Sequence, residues 1–175
     1  MRKRLKRLKH LLQDLDIDFS NPSTEVHEAV QAGVFLAQLL HRKEKHGEAD
    51  VTDQTGYFFK WYDGPYSSDL AEDYRELTDQ LRFENATNGY PPSENLRPVE
   101  FAQRVSEAVN PPPQYGRPGW LQMMAAVAYL RAGADWSRDG AREEIQNSLG
   151  TDEHFNLAEE QLRDAGFDLN IPVPA

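Results

Sequence analysis

The sequence predicts a mainly α-helical, compact domain with a minor β element. Apolar residues recur at helical spacing over most of the chain, whereas one aromatic-rich stretch, YFFKWY at 57–62, has the composition of a strand. The 175 residues are also enough for one domain with its own core. In the C-terminal part, three helices with short links are the outline of a winged-helix-like unit.

Composition is typical of a globular protein and excludes several kinds of chemistry. The chain has 39% hydrophobic and 27% charged residues, and no apolar run approaches the roughly 18 residues that span a bilayer. The absence of cysteine excludes disulfides, thiol catalysis and cysteine-ligated metals. The basic N-terminus continues into polar residues, so we expect no signal peptide and a cytoplasmic location.

Charge is distributed unevenly along the chain. Residues 1–9 carry no acid and six cations, Arg2, Lys3, Arg4, Lys6, Arg7 and Lys9. The rest of the chain has 13 basic and 29 acidic residues, a net charge of −16. Such an acidic body repels the backbone of nucleic acids and favours cationic or neutral partners.

Residues 1–20 are predicted to form a basic amphipathic helix and a connector. The apolar face of the helix is Leu5, Leu8, Leu12 and Leu15, and cations occupy most other positions. Three uses fit this pattern. The helix docks on the domain and pairs its cations with the acidic body, it lies on nucleic acid or membrane, or it inserts into a partner's groove.

Residues 21–110 are predicted to form a helical core lobe. Asn21-Pro22-Ser23-Thr24-Glu25 is a helix-start pattern, and this helix is expected to run to about His46. Its last turns, 41–46, form a second cationic patch that also suits the negative end of the helix dipole. Pro98 opens a later helix whose apolar face is Val99, Ala102, Val105 and Val109.

The stretch 57–81 lies inside this lobe and is the most distinctive in the chain. Its aromatic run predicts a short strand or an extended segment packed on both sides. Gly64-Pro65 then requires a turn, after which Ser67 or Ser68 caps a new helix. That helix has one apolar stripe, formed by Leu70, Tyr74, Leu77 and Leu81.

Beyond a Pro-rich linker at 111–119, residues 120–175 are predicted to form the three-helix unit. Its helices are expected at 120–131, 137–149 and 152–165. A DNA-recognition helix exposes Arg, Lys, Asn or Gln toward the bases. The last helix instead offers Arg163 against five acids predicted to be exposed, Asp152, Glu153, Glu159, Glu160 and Asp164. This composition disfavours entry into a DNA groove.

No motif in the sequence marks a catalytic, cofactor or metal site. The five histidines do not form a ligand set, and HExxH, a Gly-rich phosphate loop and GxSxG are all missing from the sequence. We therefore predict a chain that is not an enzyme and needs no cofactor.

Three segments in order carry a family resemblance: FFKWYDGPYSSDLAEDYREL, WLQMMAAVAYLRAG and FNLAEEQLRDAGF. Together they resemble the YwgA-like group of small prokaryotic proteins and, more distantly, the SocA-like antitoxin (Panacea) domain. The specific positions are Trp61, Gly64, Pro65, Tyr66, Ser67, Leu70 and Leu77. The resemblance implies a mostly helical domain with a small β element that acts by binding other proteins, and it implies no catalytic residues.

The resulting hypothesis is a non-enzymatic protein-binding or regulatory module, antitoxin-like or an accessory subunit, in a prokaryotic cytoplasm. Its partner is expected to be a basic protein, for example a toxin or effector. The aromatics and the turn, Trp61, Tyr62, Pro65 and Tyr66, either brace the core or form the contact edge beside four acids, Asp69, Glu72, Asp73 and Glu76.

Two alternatives stay open at this point. A DNA-binding transcriptional regulator would use the basic N-terminus, Arg2 to Lys9, together with the patch at 41–46. A hydrolase would need a deep pocket with two convergent carboxylates or histidines.

Overall fold

The computed structural model describes residues 2–20, 22–44, 56–87, 99–134, 136–148 and 151–169. The prediction of a mainly helical fold with a minor β element is confirmed. The described helices are α1 (Lys3–Asp14), α2 (Thr24–Glu44), α3 (Ser68–Thr87), α4 (Glu100–Ala108), α5 (Arg117–Ala128), α6 (Arg138–Ser148) and α7 (Asp152–Ala165). The β element is an antiparallel hairpin of β1 (Lys60–Trp61) and β2 (Pro65–Tyr66). None of these helices is long and apolar enough to cross a membrane.

The core is built around the packing of α5 along α2. Every residue of α5 from Met123 to Ala128 is buried, because this helix has almost no polar face to present to solvent. A short π-helical turn, Tyr129–Gly133, continues α5. Residues 117–119, predicted as the end of a Pro-rich linker, instead form the first turn of α5. Helices from both sides of the Pro-rich segment therefore share one core.

The basic helix α1 docks on the domain through its leucines. Leu5, Leu8 and Leu12 are fully buried, and Leu15 is nearly so. Asp14, at the end of α1, accepts a hydrogen bond from the backbone N–H of Val99 (2.6 Å) and so satisfies a free donor at the start of α4. The first of the three uses expected for this helix is confirmed.

Serine side chains cap the N-termini of α2 and α3. Ser23 Oγ accepts a hydrogen bond from the N–H of Val26 (3.2 Å), and Ser67 Oγ accepts one from the N–H of Leu70 (3.3 Å). The second bond confirms Ser67 as the cap of α3. Asn21, predicted to help start α2, lies outside the described residues.

Helix α7 is tied to the domain by buried polar groups. Glu159, predicted to be exposed, is buried, and its two carboxylate oxygens pair with Arg131 Nε (3.1 Å) and Arg138 Nε (2.7 Å). The buried amide of Gln161 accepts from the N–H of Asn110 (3.0 Å) and donates to the C=O of the same residue (2.7 Å). Helical periodicity could not predict that Glu159 is buried, because its burial depends on Arg131 and Arg138, which lie in neighbouring elements.

The docking of α1 leads to a stability prediction. Leu8→Ala should lower the free energy of unfolding by about 2–5 kcal/mol, since it leaves a cavity under a fully buried side chain. Leu11→Ala, the same change at a half-buried position of the same helix, is the matched control and should cost much less. Urea unfolding monitored by circular dichroism measures both variants. Equal losses would contradict docking through the Leu8 face.

Candidate functional site

The candidate site centres on the hairpin segment, residues 57–67, which presents aromatic side chains on alternate sides. Tyr57 is buried, whereas Phe58 and Tyr62 are 72% and 68% exposed. Phe59 and Trp61 are half-buried, with ring contacts to Phe35 (5.2 Å) and Tyr129 (5.3 Å) respectively. The prediction that this run is packed on both sides is therefore wrong. The strand lies at the surface, so side chains of the opposite parity point to solvent.

The turn of the hairpin depends on a glycine. Tyr62, Asp63 and Gly64 connect the two strands, and the last two have positive φ angles of 52° and 141°. A residue with a Cβ is strained at a φ near +140°, so Gly64 is the conformational requirement of this turn. The pairing that follows places Lys60 opposite Tyr66 and Trp61 opposite Pro65.

Two buried glutamines of α2 hold the ends of the hairpin segment. The Gln38 amide accepts from the N–H of Tyr57 (3.1 Å) and donates to the C=O of Tyr57 (2.7 Å). The Gln31 amide binds Ser67 in the same way, at 2.8 Å and 2.9 Å. The two glutamines are seven positions apart in the sequence, so they lie on one face of α2 two turns apart. Each side chain satisfies both backbone groups of one residue, as a neighbouring strand would.

On the other side of the segment, an acidic face of α3 is occupied by α1. The phenol of Tyr57 donates to Asp73 Oδ2 (2.7 Å), and Arg4 Nε lies 2.6 Å from the same oxygen. Burial and the hydrogen bond to Asp73 raise the pKa of Tyr57, so the phenol stays protonated and keeps donating. Arg2 pairs with Glu76. Arg2 and Arg4 of the basic N-terminus are thus paired with the chain's own acids.

A cleft with a volume of about 1030 Å³ opens beside the hairpin segment. Its walls are formed by side chains from residues 22–32, 62–68 and 71–78, and by Gln122 and Ala125 of α5. Four of the lining residues carry charges at neutral pH, Glu28, Asp63, Glu72 and Arg75. The cleft therefore joins an aromatic edge to a wall that is acidic on balance.

His27 and Tyr74 form the polar part of the cleft wall. Their rings meet edge to face, with centroids 5.6 Å apart, and His27 also stacks on Tyr66 at 6.3 Å. His27 Nε2 and the Tyr74 hydroxyl are both buried atoms without a hydrogen-bond partner among the described residues. Burial lowers the pKa of His27, partly opposed by Glu28, and it raises the pKa of Tyr74. Both side chains are therefore neutral at pH 7.

The structure brings together only some of the residues predicted for protein contact. Tyr62, Pro65, Tyr66 and Glu72 line the cleft, and Asp69 is exposed at the start of α3. Pro65 and Asp73 are buried, Trp61 is half-buried, and Glu76 pairs with Arg2. Three residues that sequence reasoning did not place at the site are Phe58, His27 and Tyr74. The sequence signal for Phe58 was the alternation in the aromatic run. The signal for His27 was its position one turn before Gln31 on α2.

The basic N-terminus keeps part of its charge in solvent. Lys3, Arg7 and Lys9 form no ion pair with another described residue. The second cationic patch is smaller than predicted, since His41 is buried with its ring 4.6 Å from that of Phe101. The later part of that patch, Lys45 and His46, lies outside the described residues.

No group of three or more His, Asp or Glu residues that could hold a metal ion occurs in the described part of the chain. Comparison of the chain with protein families, curated proteins and solved structures gives no match. The resemblance to the YwgA-like group and the SocA-like antitoxin domain therefore stays a prediction. Function has to be argued from the geometry of the site.

The glutamine pairs lead to a second stability prediction. Gln38→Leu should lower the free energy of unfolding by about 2–5 kcal/mol, because the N–H and C=O of Tyr57 would be left buried without partners. Gln103→Leu, the same change at an exposed position of α4, is the control and should be nearly neutral. Denaturant unfolding measures both. A neutral Gln38→Leu would mean that the pair does not hold the segment.

The pKa of His27 gives a prediction about pH. An unfolded histidine titrates near 6.5, and His27 titrates lower in the folded protein. As the pH falls below 6.5, the unfolded state therefore takes up the proton first, and the stability contributed by His27 is lost. Unfolding free energies measured between about pH 5 and 8 should fall less steeply on the acid side for His27→Gln than for the unmodified chain. A folded-state midpoint at or above 6.5 in an NMR titration would contradict this.

Proposed function

We propose that this chain is a non-enzymatic protein-binding regulatory module, antitoxin-like or an accessory subunit, that acts in a prokaryotic cytoplasm. The observation that carries the proposal is the exposure of Phe58 and Tyr62, at 72% and 68%, on a segment held at both ends by Gln38 and Gln31. Exposed aromatic side chains that lie together are typical of protein contact sites.

The exposed aromatics form one continuous surface. Phe58, Tyr62 and Tyr66 line a shallow pocket of about 330 Å³ with Lys60 and Ser68, and Tyr62 meets Tyr66 edge to face at 6.2 Å. The surface is continuous with the cleft, because Tyr62 and Tyr66 line both. A hairpin already fixed in the free protein loses little conformational entropy on binding. These features support binding by a preformed aromatic edge.

Charge supports a basic partner. Asp63 and Glu72 are exposed beside the aromatic edge, whereas Asp69, Asp73 and Glu76 lie on the face of α3 that Arg4 and Arg2 oppose. The chain without its first nine residues carries a net charge of −16. Complementary charge speeds association and disfavours acidic partners. The family resemblance agrees with a protein partner.

A non-enzymatic role is supported by the lack of a described hydrogen-bond partner for His27 Nε2. A catalytic base normally has a hydrogen-bonded nucleophile on one side and an orienting group on the other. His27 Nε2 has no described partner, and the second carboxylate or histidine that a hydrolase would need is not hydrogen-bonded to it.

The DNA-binding alternative has weaker support. Arg2 and Arg4 are committed to α3, and a deletion of residues 1–9 would also remove Leu5 and Leu8 from the core. Loss of nucleic-acid binding in that deletion would therefore not distinguish direct contact from unfolding. The winged-helix-like arrangement expected for residues 120–175 stays a prediction.

The proposal is tested by replacing the exposed aromatics. The chain carrying Phe58→Ser and Tyr62→Ser should fold normally, because both side chains are mostly exposed, but should lose a protein that the unmodified chain captures from its native lysate at high salt. That protein, identified by mass spectrometry and purified, should bind the double variant more than about tenfold more weakly, as expected for interface hot spots.

Trp136→Ser provides the control for this experiment, since Trp136 is an exposed aromatic outside the hairpin segment and should leave the affinity unchanged. Calorimetry of the purified pair measures the affinities, and thermal unfolding checks that each variant is folded. Equal affinities for the unmodified chain and the double variant would contradict the proposed surface.

A further inference from the structure

The cleft contains a continuous row of four aromatic rings. Tyr62 meets Tyr66, Tyr66 stacks on His27, and His27 meets Tyr74, with centroid distances of 6.2, 6.3 and 5.6 Å. Electron-rich ring faces attract a cation, and the attraction strengthens where water is displaced. The row therefore forms an uninterrupted path from the exposed hairpin to the buried end of the cleft.

The charged residues of the cleft favour a cation as well. Glu28, Asp63 and Glu72 line it against Arg75 alone, so the described charged lining has a net charge of −2. The charged lining of the cleft is thus acidic on balance. An anionic or apolar occupant would leave these carboxylates uncompensated.

The inner end of the cleft also holds polar atoms that the protein itself leaves unsatisfied. The side chain of Tyr74 is only 4% exposed, yet its hydroxyl has no hydrogen-bond partner among the described residues. The same is true of His27 Nε2, which accepts a hydrogen bond when the ring proton is on Nδ1. Buried polar groups are normally hydrogen-bonded, so two orphans in one wall indicate an occupant that supplies donors.

We propose that the cleft binds an arginine side chain of the partner protein. A guanidinium is planar, stacks on aromatic faces and carries five N–H donors, which suits a row of rings, carboxylates at the rim and two unsatisfied acceptors inside. A lysine ammonium is more strongly hydrated and does not stack, and a polyamine lacks the planar fork. This inference deepens the proposed function and rests on it for the identity of the partner.

The test uses short capped glycine peptides that carry one central arginine, lysine or norleucine, with spermidine as a non-protein cation. In NMR titrations of the full chain, the arginine peptide should shift the ring signals of His27 and Tyr74 and bind more tightly than the other three probes. Tyr74→Phe and Glu72→Gln should each weaken arginine-peptide binding about tenfold. Glu153→Gln, at an exposed position of α7, is the control and should change nothing.

The outcomes separate this inference from the proposed function. Equal binding of arginine, lysine and spermidine would reduce the cleft to an unspecific acidic surface and overturn the inference. So would the lack of any shift with the arginine peptide, or unchanged affinity in both cleft variants. If that happened while Phe58→Ser with Tyr62→Ser still abolished capture of the partner, the binding function would stand and the arginine site would fall.

Discussion

Buried amide pairs between glutamine side chains and the backbone are the interaction on which this structure depends. Gln38 binds Tyr57, Gln31 binds Ser67 and Gln161 binds Asn110, and each uses its oxygen and its nitrogen on one residue. All three backbone residues lie outside helices, where backbone groups need partners from elsewhere. The C=O of Ser67 also accepts a hydrogen bond within its own segment, from the N–H of Ala71. A glutamine side chain carries one donor group and one acceptor. It can therefore hydrogen-bond to both backbone groups of one residue, as a neighbouring strand would.

The division of the acids on α3 follows from the docking of α1. Leucine burial fixes the position of α1, and Arg4 and Arg2 then lie against Asp73 and Glu76. Glu72 lies on the side that faces the cleft and keeps its charge available. One face of α3 is thus neutralised by the arginines of α1, whereas another face keeps its charge and lines the proposed site. The spacing of the leucines in the first fifteen residues therefore determines which acids of α3 lie against the arginines of α1.

Much of the fold was predictable because helical periods and caps are local signals. The sequence placed the helix at 152–165 at its observed bounds, narrowed the cap of α3 to Ser67 or Ser68 and identified the apolar stripe of α3 from Leu70 to Leu81. Contacts between distant segments were not predictable. The burial of Asp73 depends on Tyr57 and Arg4, and the burial of Glu159 depends on Arg131 and Arg138. Sequence patterning assigned both acids to solvent, since an acid is normally exposed.

The candidate site was only partly predictable for the same reason. The aromatic run and the turn were recognised, but the inner wall was not, because His27 lies in α2 and Tyr74 in α3. Tyr74 had been assigned to the core by its helical spacing, which is correct for its ring but not for its unsatisfied hydroxyl. Periodicity places a side chain on a face, but it does not say whether a polar atom at the end of that side chain finds a partner.

The glutamine pairs also make the hairpin segment a natural position for loop grafting. Gln38 and Gln31 bind only the main chain of Tyr57 and Ser67, so they specify where the segment begins and ends rather than which residues it contains. Amide pairs are neutral, and their strength does not depend on the charges of the residues between them. Gly64 constrains the turn, and Phe59, Trp61 and Pro65 pack inward, so the positions open to redesign without rebuilding the helices beneath are the exposed ones, Phe58, Lys60, Tyr62 and Tyr66.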